Sequence, residues 1–114
     1  MKIFEYKNYK IVAESWETYN SWGHKATLFN GDNELTNSRV RYINRTWECY
    51  RYQSVILDTI YEAIKRRQTR LVDDYKLQAN VIRMTKRRKE LLYQDDIELQ
   101  ELQELYNHFK EKNA

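Results

Sequence analysis

The chain contains no proline and only two glycines, Gly23 and Gly31. Proline fixes φ and glycine opens the left-handed region, so a chain almost without either can make few sharp turns. Long helices and simple hairpins are what remain. The rhythm of apolar and polar residues assigns them: strand-like alternation early in the chain gives way to helical spacing from Thr46 onward.

Residues 2–16 read as a hairpin with Lys7-Asn8 as a two-residue turn. That register sets Tyr6 opposite Tyr9, Glu5 opposite Lys10, Phe4 opposite Ile11 and Ile3 opposite Val12. Rings, branched chains and opposite charges then meet across the strands. Residues 23–43 read as a second hairpin, with Gly31 first in its two-residue loop, where a type II′ turn needs positive φ. Leu28 is expected opposite Leu35 and Thr27 opposite Thr36. Glu17-Thr18-Tyr19-Asn20-Ser21-Trp22 reads as a loop.

Thr46 can cap a helix whose first turn holds Glu48 at the favoured end of the dipole. Tyr52, Ile56, Ile60 and Ala63, widened by Leu57, Tyr61 and Ile64, form a stripe broad enough to cover a sheet. Beyond Lys65, Leu71, Tyr75, Ile82, Leu92, Leu99, Leu102, Tyr106 and Phe109 keep helical spacing. Asp73-Asp74 can start a new helix, and Asp95 to Glu98 has capping-box spacing. The expectation is three helices, near 46–68, 73–92 and 96–111. The rival is one helix of roughly 65 residues, about 100 Å at 1.5 Å per residue. The fold class expected is α+β: a four-stranded antiparallel sheet of two hairpins covered by one helix, then a charged helical hairpin or arm. Residues 1–68 would hold the sheet and helix and residues 69–114 the extension, in a single domain overall.

A length of 114 residues suits one domain with a modest core. No apolar run approaches the roughly 18 residues of a membrane span. The opening MKIFEYKNYK is charged throughout and does not read as a secretory signal. Cys49 is the single cysteine, so no internal disulfide is expected, and a cytoplasmic protein is. His24 and His108 stand far apart in sequence, and no metal-ligand spacing, glycine-rich phosphate loop or nucleophile motif is present. No catalytic residue, metal or cofactor is assigned, and a non-enzymatic protein is expected.

The stretch Arg39-Val-Arg-Tyr-Ile-Asn-Arg-Thr-Trp-Glu-Cys-Tyr-Arg-Tyr-Gln53 sets four arginines among four rings. Charge is unevenly spread along the chain. Residues 1–38 carry a net −1, residues 39–89 a net +9 and residues 90–114 a net −5. Arginine presents a planar fork that matches phosphate or carboxylate, and neighbouring rings can stack on it. The candidate partner-binding residues are Trp22, Arg39, Arg41, Arg45, Arg51, Arg66, Arg67, Arg70, Arg87 and Arg88. A plainer reading stands beside this one. Lys65 to Arg67 would offset a helix dipole, and Lys86 to Lys89 would pair with the acidic final helix. The rings at 42, 47, 50 and 52 would be core.

Ser21-Trp-Gly-His-Lys-Ala26 and Tyr42-Ile-Asn-Arg-Thr-Trp-Glu-Cys-Tyr-Arg-Tyr-Gln-Ser-Val55 resemble small proteins carried by phages and mobile elements of Gram-positive bacteria. The resemblance covers roughly residues 1–60. Proteins of that origin and size include anti-CRISPR inhibitors, which bind RNA-guided nucleases and block their nucleic-acid channel or moving domains. The resemblance therefore implies a host protein as partner, an RNA-guided nuclease or its guide complex, met in the cytoplasm of a bacterial host. The class shares no active-site residues to carry over. The alternative is a small nucleic-acid-binding accessory protein or regulator using the basic 39–89 region. A coiled-coil homodimer is a third reading, and no membrane partner is expected.

Overall fold

The structure, a computed structural model, describes residues 2–17, 22–42, 53–80 and 83–112. Four strands come first: β1 (Lys2–Tyr6), β2 (Tyr9–Glu17), β3 (Trp22–Asn30) and β4 (Asn33–Tyr42). They form one antiparallel sheet in the order β1-β2-β3-β4. Three helices follow: α1 (Gln53–Ala79), α2 (Lys86–Gln94) and α3 (Ile97–Lys112). The α+β class is as the sequence implies.

The first hairpin has the expected register, with Tyr6 paired to Tyr9, Glu5 to Lys10, Phe4 to Ile11 and Ile3 to Val12. Its turn lacks glycine, and Lys7 takes φ of +53°, a region crowded for any side chain. Gly31 takes φ of +62° in the second turn. The two turns lie side by side and are tied together. The Gly31 N–H donates to the Asn8 carbonyl at 3.0 Å, and the Asn8 side-chain amide donates to Asn30 at 2.8 Å.

The second hairpin corrects the expected register. Leu28 pairs with Thr36, not Leu35, and Thr27 pairs with Asn37, not Thr36, because a β-bulge between Leu28 and Phe29 leaves Leu35 as the extra residue. The shift brings Thr36 to the covered face. There its hydroxyl donates to the Thr59 carbonyl of α1 at 2.8 Å. Glu17 and Trp22 belong to strands, not to the loop expected between the hairpins, and they pair with each other across β2 and β3.

One face of the sheet is covered. It carries Phe4, Tyr6, Tyr9, Ile11, Ala13, Ala26, Leu28 and Thr36 in alternation. Ala13 and Ala26 face each other across β2 and β3 and are both fully buried. Such small residues let a helix approach closely, and Thr59 of α1 lies there within 3.5 Å of the Ala26 carbonyl. α1 contributes Val55, Ile56, Ile60, Ala63 and Ile64 to the core. α3 contributes Leu99, Leu102, Leu105 and Phe109. Two helices therefore share the sheet, where one was expected. α1 crosses β3 and β4, while α3 runs back beside it over β1 and β2 and sets Phe109 edge-on to Phe4 at 5.7 Å. Burial of these apolar side chains is the main stabilising term, about 25 cal/mol per Å².

The expected helix break between residues 68 and 73 does not occur. α1 runs through Asp73 and Asp74, which are exposed in mid-helix and cap nothing. It ends after Ala79, where Asn80 adopts φ of +57°, a left-handed stop that asparagine tolerates better than most residues. Residue 68, expected to divide the sheet and first helix from the extension within one domain, therefore lies inside α1, and the core joins residues from both sides of it. The segment 46–52, expected to begin the first helix, lies outside the described residues. Tyr61, expected in the buried stripe, is 48% exposed. The helix start expected near Asp95 is set one residue later, by Asp96.

Candidate partner-binding surfaces

The ten candidate residues do not converge on one surface. Arg39 lies in β4 and is exposed on the sheet face that no helix covers. Its guanidinium carbon stands 4.5 Å from the centre of the Trp16 ring. Trp16 pairs with Gly23 in the neighbouring strand, and the absence of a side chain there leaves the ring room to lie across β3 toward β4. The Trp16 indole N–H is buried and has no hydrogen-bond acceptor among the described residues. Lys10 sits over Phe29 at 5.1 Å on the same face. This face thus carries cations held on rings, an arrangement worth roughly 0.5–2 kcal/mol per pair. Trp22 pairs with Tyr42, and Arg41 with Gly23, in the strand register. Arg45, Arg51 and Cys49 lie outside the described residues.

Arg66, Arg67 and Arg70 are on α1, on the other side of the sheet. Arg66 is exposed and donates from Nη1 to the Leu35 carbonyl at 3.3 Å, satisfying an edge-strand group at the bulge. Arg67 is committed internally. Its Nε and Nη2 donate to the two oxygens of Asp96 at 2.9 and 2.7 Å, and its Nη1 lies 3.5 Å from Glu98. Asp96 also caps α3 by accepting from the Leu99 N–H at 2.9 Å. The Arg67 guanidinium holds the Asp96 carboxyl below its usual range against the opposing effect of burial, and the Leu99 N–H lowers it further. Arg70 is exposed, at the mouth of a cleft of about 240 Å³ that also borders Leu35, Thr36, Ala63, Arg66 and Leu102.

Arg87 and Arg88 belong to the first turn of α2 and are exposed. The plainer expectation, that residues 86–89 pair with the acidic last helix, is not met. No ion pair joins Lys86, Arg87, Arg88 or Lys89 to a described residue, and α3 spends its nearest acids on Arg67 instead. Other α3 carboxylates face the first hairpin. Glu104 meets Lys7 at 2.6 Å, and Glu101 accepts from the Tyr9 hydroxyl at 2.9 Å. Burial, and then that carboxylate, push the Tyr9 phenol further above its ordinary range, so it stays a donor.

Sequence spacing gave no sign of one contact. Ser15 and His24 are cross-strand partners, with Ser15 Oγ 3.1 Å from His24 Nδ1 and the ring buried. Pairing of β2 with β3 makes them neighbours although nine positions separate them. His108 is elsewhere, stacked on Tyr6 at 4.5 Å. Among the described residues no group of three His, Cys, Asp or Glu side chains could hold a metal ion, and no helix is long and apolar enough to cross a membrane. Comparison of the chain with protein-family models, with curated proteins and with solved structures finds no match.

Proposed function

We propose that the chain is a non-enzymatic binding protein that acts as an anti-CRISPR-type inhibitor. It docks on an RNA-guided nuclease, or on its guide complex, in the cytoplasm of a bacterial host and blocks nucleic-acid binding or cleavage. The resemblance of residues 21–26 and 42–55 to phage-borne proteins supplies the partner class. The observation that carries a docking role is the Arg39–Trp16 stack on the uncovered sheet face. A guanidinium resting on an indole is already ordered, so a partner carboxylate or phosphate meets a fork whose freedom has been reduced. Arginine and tryptophan are also the residues most often found to dominate binding energy.

The test is capture of partners by the full-length protein from cells that carry an RNA-guided nuclease, followed by a cleavage assay with the purified pair. The expected result is a stoichiometric complex and loss of cleavage. Arg39→Ala should weaken the complex by about 2 kcal/mol, roughly thirtyfold. Recovery of a metabolic enzyme with no nuclease, or full cleavage in the presence of excess protein, would overturn the proposal.

A further inference from the structure

The other half of the molecule carries an inference that does not depend on the nuclease. The fifteen residues Tyr75–Lys89 hold six cations and no Asp or Glu. Their described residues form the end of α1, positions 83–85 and the first turn of α2. Arg66 meets Leu35 at the turn end of the sheet, so the later part of α1 reaches beyond the sheet and carries α2 at the end of a molecule 53 Å long and 28 Å wide. The cations Lys76, Arg83, Lys86, Arg87, Arg88 and Lys89 are thus gathered at one pole.

Two features set this group apart from an ordinary solvated face. No ion pair links any of the six to a described residue, although Asp73 borders the same cleft between α1 and α2 as Lys89. Among the described residues their only side-chain hydrogen bond runs from Arg88 Nη1 to the Tyr75 hydroxyl, at 3.5 Å. Four of the six also occupy the first turn of α2, which contains no acid. That is the positive end of the helix dipole, where cations are disfavoured and anions are favoured. Thr85 caps the turn, its hydroxyl accepting from the Arg88 N–H, so the helix forms in spite of its charges. No residue of α2 is fully buried, and its contact with the core is made by Tyr93 in the last turn, not by the cations.

We infer that this pole is a phosphate-backbone contact for nucleic acid, sequence-independent and made by Lys76, Arg83 and the first turn of α2. A polyanion would neutralise the cluster and offset the unfavourable helix end at once. Carboxylates from an acidic protein share the charge but not the regular spacing of phosphates along a duplex. Along the chain no acid interrupts the six cations, Asp74 and Glu90 lying just outside either end of the run, which fits a uniformly charged backbone. Arg39, on the uncovered face of the sheet, and Arg67, held by Asp96, take no part.

The test measures anisotropy of a fluorescent 20-base-pair duplex with the full-length protein at several salt concentrations. It uses the wild type, the triple variant Lys86→Gln, Arg87→Gln, Lys89→Gln, and Arg39→Gln. The triple variant removes cations from the positive end of α2, so its far-UV circular dichroism should match or exceed that of the wild type. The wild type should bind with affinity falling steeply with salt, by about 0.9 in log K per log salt for each phosphate neutralised. The triple variant should bind on the order of 100-fold more weakly near 0.1 M salt, with a slope shallower by about 2.7. Arg39→Gln should bind as the wild type does. No binding at about 50 mM salt would overturn the inference. So would unchanged binding by the triple variant, an equal loss in Arg39→Gln, or displacement of the duplex by polyglutamate at matched charge. Nuclease is absent throughout, so this inference and the inhibitor proposal can each fail while the other stands.

Discussion

Arg67 and Asp96 join the middle of α1 to the start of α3, and a single carboxylate there does two things. It receives a bidentate guanidinium, and it caps a helix. The Asp96 side chain is only 12% exposed, so the pair is largely shielded from solvent, and breaking it leaves a charge without its partner. Asp96→Asn keeps one oxygen for the Leu99 N–H but turns the other acceptor into an amide donor, so it removes the charge and one arm of the Arg67 fork. It should cost about 1.5–3 kcal/mol at neutral pH, the range for a hydrogen bond to a charged group. Because the folded-state carboxyl titrates below its ordinary value near 3.8, its contribution is complete above that value and is lost as pH falls through the lower folded value. Urea unfolding of both proteins should therefore show a constant gap above about pH 5 that narrows as the pH falls below the ordinary carboxyl value. A gap that widened on acidification would show that the charge is not stabilising. Part of this was legible. Acids in the last 25 residues are natural partners for basic helices, but which arginine they take depends on how α3 lies along α1. The Arg39–Trp16 contact was less accessible still, since it spans three strands and depends on Gly23 lying between them.

The strands and helices differ in how openly their limits are written. The turns at Lys7-Asn8 and Gly31-Asp32 are fixed by local backbone demands together with matched cross-strand pairs, and both could be read. The bulge could not, because Leu35 and Thr36 are both credible inward residues. The choice goes to Thr36 through a hydrogen bond to α1, a tertiary partner 23 residues away. The helix break was misplaced for a related reason. Asp73-Asp74 can cap or can sit on a solvated face, and nothing local decides between them. The real stop is Asn80, at φ of +57°. Asn80→Gly removes the remaining side-chain crowding and should raise stability by a few tenths to about 1 kcal/mol, whereas Asn80→Val should lower it by about 1–2 kcal/mol. Denaturant midpoints with unchanged slopes would check both. Equal midpoints for the two variants would mean that the left-handed stop does not limit α1.

At the scale of the whole molecule, the question is whether the sheet and the helices fold as one unit. The sequence implies a single domain whose extension after residue 68 either packs on the sheet or projects from it. The core places α3 against the sheet. Leu102 and Leu105 of α3 are as deeply buried as Ile11 and Leu28 of the sheet, and all four belong to one cluster with Ile60 of α1. Removing α3 would open the covered face of β1 and β2, including Tyr9 and Phe4, to water. The two regions should then unfold together. Tryptophan fluorescence reports on the sheet through Trp16, and far-UV circular dichroism reports mainly on the helices, so the two transitions should coincide in urea. Leu102→Ala leaves a cavity between α1 and α3 and should cost about 2–5 kcal/mol, moving both transitions by the same amount. If the dichroism transition moved alone, the helices would be a separate unit resting on an independently stable sheet. The helix α2, in which no residue is fully buried and Tyr93 makes the contact with the core, is the exception that follows from the same reasoning. Its amides should exchange far faster than those of α1 and α3 through local opening, and the global loss caused by Leu102→Ala should leave that rate almost unchanged.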